Sequence, residues 1–183
     1  MSTFIESLEQ MTARDSKVRA VLKRSLAFDP GTHPPAFPFV EYRVQDEEGN
    51  WNRQMYYLVA GLWAMHWREG QGAPMTLAQA AAIIDRKQRK NASPADKGKN
   101  TAIERRFIAL LDADETQLPH RLRQMISLLK DHAIEFDDLL KDLRSWNHPA
   151  RFVQIKWAKQ FYHTNDNDKN DTETIISGKE ETV

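Results

Sequence analysis

The chain has 183 residues, 40% hydrophobic and 28% charged, enough for one domain with a real core or at most two small ones. It contains no cysteine, which excludes disulfides, thiolate-held zinc and a cysteine nucleophile and fits a reducing cytoplasm. Basic and acidic residues both number 26, yet the balance is uneven along the chain. Residues 164–183 hold Asp166, Asp168, Asp171, Glu173, Glu180 and Glu181 against Lys169 and Lys179, leaving the body with 24 basic and 20 acidic groups. A neutral total is therefore poor evidence against a polyanionic partner, because local stripes of charge decide that question.

The first residues show no basic region followed by a long apolar run, so no signal peptide is expected. No apolar run approaches the roughly 20 residues of a membrane span. Seven glycines are few for a fold of many tight turns, and helical periodicity is common while strand alternation is scarce. The fold class expected is all-α, a single-domain bundle of about eight helices over residues 1–163.

In chain order, Thr3 with Glu6 forms a capping box for a short first helix holding Phe4, Ile5 and Leu8. Asp15 or Ser16 can cap a second helix over 17–27, whose apolar face is Val18, Val21 and Leu22 and whose polar face holds Lys23 and Arg24. Pro34, Pro35 and Pro38 make the next segment irregular or one turn long, pinned to the core by Phe37, Phe39 and Tyr42. After a turn at 48–50, residues 51–68 read as a long aromatic-rich helix. Its apolar period is smeared, so burial on more than one side is expected. Thr76 with Gln79 opens an alanine-rich helix to about residue 86.

Residues 87–100 have almost no apolar side chain and read as a basic loop. A structureless connection of that length is unusual in a compact domain and tilts it toward function. The stretch 101–130 organises the rest. Ile103, Phe107, Leu110 and Leu111, then Leu118, Leu122, Met125, Ile126 and Leu129, recur at helical spacing on either side of a short acidic link. Thr101 with Glu104 reads as another capping box, and Pro119 sits where a first helical turn tolerates it. Asp137 is expected to cap the next helix. Pro149 is expected in the first turn of a last helix running to about residue 162. Residues 164–183 are acidic and poor in apolar side chains, a composition expected to be disordered.

Motifs for catalysis are absent: no Gly-x-Ser-x-Gly, no phosphate-cradling glycine loop, no His-Glu-x-x-His. His120, Asp131 and His132 could be assembled into a metal phosphohydrolase site, but solvated side chains are the simpler reading. Asp112, Asp114 and Glu115 are expected as an acidic cap at a helix start rather than a metal cluster. No metal or cofactor is expected. The five tryptophans could stack on bases, yet aromatics at helical spacing more often fill cores. Basic residues remain: Lys23 and Arg24, Arg105 and Arg106, Arg121 and Arg123, and Arg151 fall on four separate helices. If those helices are neighbours they form one basic groove, and arginine suits bidentate phosphate contact. The acidic tail would then be placed to compete for that groove.

Five segments together resemble one family: RAVLKRSL (19–26), ERRFIALLDAD (104–114), LPHRLR (118–123), LKDLRSW (140–146) and VQIKWAKQFY (153–162). Each alone is an ordinary amphipathic helix. In this order they resemble the CasB family, the small subunit of the type I-E CRISPR Cascade complex, from about residue 18 to 162. The resemblance implies a non-catalytic helical protein. It would sit as a pair of copies among other Cascade subunits, holding the guide RNA–target DNA hybrid and the displaced DNA strand through basic residues. Carried over by motif, those residues are Arg24, Arg53, Arg105, Arg123 and, more loosely, Arg151. The competing reading, from another class, is a helical protein–protein adaptor whose basic residues only solvate it.

Overall fold

Helix α4 (Asn50–His66) has almost no solvated face: Met55, every residue from 57 to 64, and His66 are buried. The smeared apolar period of the sequence is the signature of such a helix, covered on several sides at once. In this computed structural model, which describes residues 2–44, 49–67 and 72–163, five helices supply that cover. They are α1 (Phe4–Arg14), α2 (Lys17–Ser25), the one-turn α3 (Phe37–Val40), α7 (Leu118–Leu128) and α8 (Phe136–Arg144). Helices α5 (Leu77–Lys90) and α6 (Ala102–Leu111) extend the layer beyond α7. A ninth helix, α9, spans residues 152–163. The described residues contain no strand, only an isolated parallel bridge between Met75 and Ile134. The expected all-α architecture is what is seen. The acidic tail, residue 68 and parts of the expected turns near 48 and 70 lie outside the described residues.

Local sequence explains most helix starts. The capping boxes of Thr3 with Glu6 and Thr76 with Gln79 both form in full. Asp15 rather than Ser16 serves α2, accepting from the Lys17 amide at 2.9 Å. Asp114 accepts from the amides of Thr116 and Gln117, both at 2.9 Å, just ahead of α7. Its carboxyl is held below the ordinary range by the Thr116 hydroxyl and these amides.

Several expectations need correction. Thr101 caps α6, but Glu104 does not return the bond; it is buried and turned toward Arg89 and Tyr162. Glu135, not Asp137, is the first residue before α8; Asp137 instead accepts from the Ile5 amide at 3.2 Å, tying α1 to α8. Pro149 lies in the turn before α9, not within its first turn, and Arg151 there takes a positive φ of 49°. Helix α5 runs to Lys90, so the basic loop begins four residues later than its composition suggested. The extra turn is held by Arg89, which donates to Asp85 at 2.8 Å and to Glu104 at 2.6 Å. Tyr42 is 55% exposed and does not pin its segment, whereas Phe37 and Phe39 pack on the core.

The tryptophans are structural. Trp63, Trp146 and Trp157 are buried, and Trp146 packs on Trp157 with centroids 5.2 Å apart. Trp51, Trp146 and Trp157 donate their indole N–H to Leu143 O, Ala113 O and Asp142 Oδ2 respectively, so each of these donors is satisfied.

The α2–α4 crossing sets where the basic end of α2 lies. It is close because Gly61 lacks a side chain. A Cβ there would meet Leu26 Cδ2 at 2.7 Å and the Leu22 carbonyl oxygen at 3.2 Å. Gly61→Ala is expected to push α2 outward and lose about 1–3 kcal/mol in urea unfolding, the usual penalty of overpacking. Unchanged stability would mean that the crossing is not tight.

Candidate nucleic-acid interface

Helix α2 buries Val18, Leu22 and Ser25 on one stripe. At about 100° per residue, Lys23 and Arg24 each lie about 130° from that stripe, on opposite sides of the outward face. Both are exposed. They occupy the last turn, where cations suit the negative end of the helix dipole. The chain leaves α2 through overlapping turns, with Leu26, Ala27 and Phe28 amides bonding back to Lys23, Arg24 and Ser25.

There α7 arrives. Arg123 Nη1 donates to the Leu26 carbonyl oxygen at 3.0 Å, joining residues 97 apart in sequence. Around that bond lies a hollow of about 270 Å³, lined by Phe28, Asp29, Tyr57, Pro119, His120 and Arg123 among others. Arg123 is thereby placed at the end of α2, next to the last turn that carries Lys23 and Arg24. Arg121 does not join them. Two positions apart on a helix means about 200° of rotation, so Arg121 and Arg123 flank the buried stripe of α7 on opposite sides.

Arg105 belongs to a second site. It projects outward from the start of α6, and its Nη1 donates to the Asn100 carbonyl at 3.0 Å. With Arg89, Lys97 and Lys99 it lines a hollow of about 580 Å³ between the end of α5, the loop and α6. Arg106 lies a quarter-turn away and bonds its own helix at Ala102 O.

Two expected site residues have their donors engaged inside the chain. Arg53 grips Glu41 with two nitrogens at 3.0 and 3.1 Å, donates a third to Gly31 O at 3.2 Å, and stacks over Phe37 and Tyr57. The Arg53 bond draws the Glu41 carboxyl below its ordinary range, while burial and Glu41 push the Tyr57 phenol up. Arg151 donates to Leu111 O at 2.7 Å and stands 3.9 Å from Asp112, closing the α6 end onto the start of α9.

His120 is exposed beside the first hollow, and His132 is half-buried with its carbonyl oxygen 2.7 Å from His66 Nε2. Among the described residues no three histidine, aspartate or glutamate side chains gather where they could hold a metal.

Residues 18–162 match the family described as CRISPR-associated protein Cse2. The chain belongs to that family. Cse2 from Thermus thermophilus is 37% identical over 164 residues, covering 87% of this chain and 88% of that protein. Crystal structures of CasB align as well. CasB from M. ruber is 36% identical with a TM-score of 0.74 over 91% of this chain and 94% of its own. CasB from Thermus thermophilus is 35% identical with a TM-score of 0.66 over 87% and 96%. A chain of a CRISPR RNA-guided surveillance complex shares the fold at TM-score 0.66 and 19% identity, over 92% of this chain and 93% of its own. The Cse2 match includes every basic residue named above and stops before the acidic tail.

What sequence reasoning missed was the polar network behind the second hollow. Asp85 is fully buried and Glu104 nearly so, and Arg89 serves both while Thr101 donates to Asp85 at 2.5 Å. The available signal was Asp85, four residues before Arg89, on the alanine-rich face of α5.

Arg53→Gln is expected to cost roughly 1–2 kcal/mol at pH 7, discounted because Glu41 and Arg53 are partly exposed. Glu41 has a lowered carboxyl, so this contribution is present above the ordinary glutamate range and lost as pH falls through the lower folded value. Urea unfolding of both forms should therefore differ at pH 7 and converge toward acid. A gap that widens in acid would contradict the assignment.

Proposed function

We propose that this protein is a non-catalytic small subunit of a type I-E Cascade complex in the cytoplasm. On this reading it grips nucleic-acid backbone to stabilise the guide RNA–target DNA hybrid and the displaced strand. Its partners would be those nucleic acids, other Cascade subunits and a second copy of itself. Family membership supplies the setting. The observation that carries the role is the Arg123–Leu26 bond, which puts Arg123 at the end of α2, next to the turn that carries Lys23 and Arg24.

The physics suits such a subunit. In RNA-guided recognition the sequence is read by base pairing, so the protein needs backbone contacts held on a firm frame. Lys23, Arg24, Arg105 and Arg123 supply phosphate-binding charge in this account. Arg53 and Arg151 act as framework residues that hold the surfaces in place. Arg106 and Arg121 are secondary contributors. One observation also favours an adaptor role: Phe152, Ile155 and Tyr162 are 45%, 50% and 41% exposed on the outward stripe of α9. An apolar stripe of that kind suits contact with a neighbouring subunit, so the adaptor and backbone-binding roles are compatible.

Fluorescence anisotropy with labelled single- and double-stranded DNA across a salt series tests the backbone role. The protein should lose affinity as salt rises. Lys23→Glu with Arg24→Glu should weaken single-strand binding by at least about tenfold and reduce the log–log salt slope by about 1.4. Equal binding by wild type and variant at low salt would remove the α2–α7 surface from the account.

A further inference from the structure

Helix α9 delivers the chain to the wall of the larger basic hollow. Tyr162, in its last turn, donates its hydroxyl to Glu104 Oε1 at 3.2 Å. The other oxygen of Glu104 accepts from Arg89 at 2.6 Å, and Arg89 lines the hollow with Lys97, Lys99 and Arg105. The last described residue of α9 is His163, one position beyond that tyrosine. The acidic segment is therefore tethered one position past a tyrosine bonded to the Glu104–Arg89 pair.

The segment that begins there is acidic. Residues 164–183 carry six carboxylates and two lysines, whereas residues 87–106 carry seven cations against Asp96 and Glu104. Three carboxylates already face the hollow's cations. Asp85 and Glu104 hold Arg89, and Asp96 holds Lys99 at 3.1 Å. Lys97 is exposed and makes no ion pair among the described residues, and Arg105 bonds only the neutral Asn100 carbonyl. On the outer side of the α5 end, Lys87 and Lys90 border a further hollow of about 490 Å³. Cationic capacity thus remains in the hollow whose Arg89–Glu104 frame the end of α9 contacts.

We propose that segment 164–183 docks its carboxylates into the α5–α6 basic hollow, chiefly on Lys97 and Arg105, and is an intrinsic competitor of nucleic acid there. Reach is ample: Asp166 and Asp168 lie three and five residues past His163, about 10 and 17 Å when extended. Tethering gives such a segment a high effective concentration, so individually weak exposed ion pairs suffice to hold it. The docking stands on its own geometry. Only the competition rests on the proposed nucleic-acid role, through Arg105.

The absence of native cysteine makes the test direct, since Thr172→Cys gives a single thiol for a nitroxide spin label. In the full chain, at about 50 mM salt, the amide signals of Lys97, Gly98 and Lys99 should lose about half their intensity or more. The loss should fade by about 0.5 M salt, where exposed charges are screened. It should also disappear when all six tail carboxylates are changed to amides, a set of surface substitutions that leaves the core intact. Unaffected loop amides, or attenuation equally strong on α1, would overturn the docking. This measurement contains no nucleic acid, so failure of the nucleic-acid reading leaves it standing. Separately, the six-amide variant should bind single-stranded DNA about tenfold more tightly at low salt. Unchanged affinity would overturn the competitor role.

Discussion

Helix α4 can bury nearly all of its surface only if helices cover it from several directions, and that requirement sets the layout. Its apolar and small residues, Ala60, Gly61 and Ala64 among them, allow close approach on more than one side. Gly61 lets α2 settle against α4 at the Leu22–Leu26 turn. That turn in turn presents the Leu26 carbonyl oxygen to Arg123 of α7. A packing constraint in the core thus fixes the spacing of charges on the surface. The basic end of α2 is where it is because a glycine lies beneath it.

The second basic site rests on buried ions rather than on close packing. Asp85 and Glu104 are buried carboxylates, which are tolerable only when paired and hydrogen-bonded. Arg89 serves both and thereby holds the last turn of α5 against the first turn of α6. The hydroxyls of Thr101 and Tyr162 donate to the same two carboxylates from further positions. The frame of the larger hollow is therefore ionic, while the cations at its mouth stay exposed. Arg53 shows the same division of labour elsewhere, with its charge directed to Glu41 and its plane to Phe37 and Tyr57.

Much of this was legible in the sequence. Helical periodicity gave the all-α class, the Thr3 and Thr76 caps and the paired helices of 101–130, because each is encoded within a few neighbouring residues. The CasB resemblance rested on segments that fall within the Cse2 match at residues 18–162. What was not legible depended on contacts between distant residues. Asp137 looks like a cap but is used by Ile5, 132 positions away. Arg53 looks like a surface cation until Glu41 and Gly31 are folded around it. Arg121 and Arg123 look like a pair, yet helical rotation divides them, as the 3.6-residue period already required. The α5 end was misread because its stabilising partners, Glu104 and Asp85, lie across a loop and beneath the helix.

The central claim is that the surface joined by Arg123 and Leu26 faces nucleic acid in the assembled complex. Site-directed photocrosslinking tests it most directly, again exploiting the lack of native cysteine. A crosslinker on Ala27→Cys, exposed beside the joint, should attach to guide RNA or DNA when the complex is irradiated with its target. The same group on Ala13→Cys, exposed on α1, should not. Nucleic-acid crosslinks from position 27 alone would support the account. Crosslinks from 27 only to protein, with nucleic acid attached through 13 instead, would contradict it.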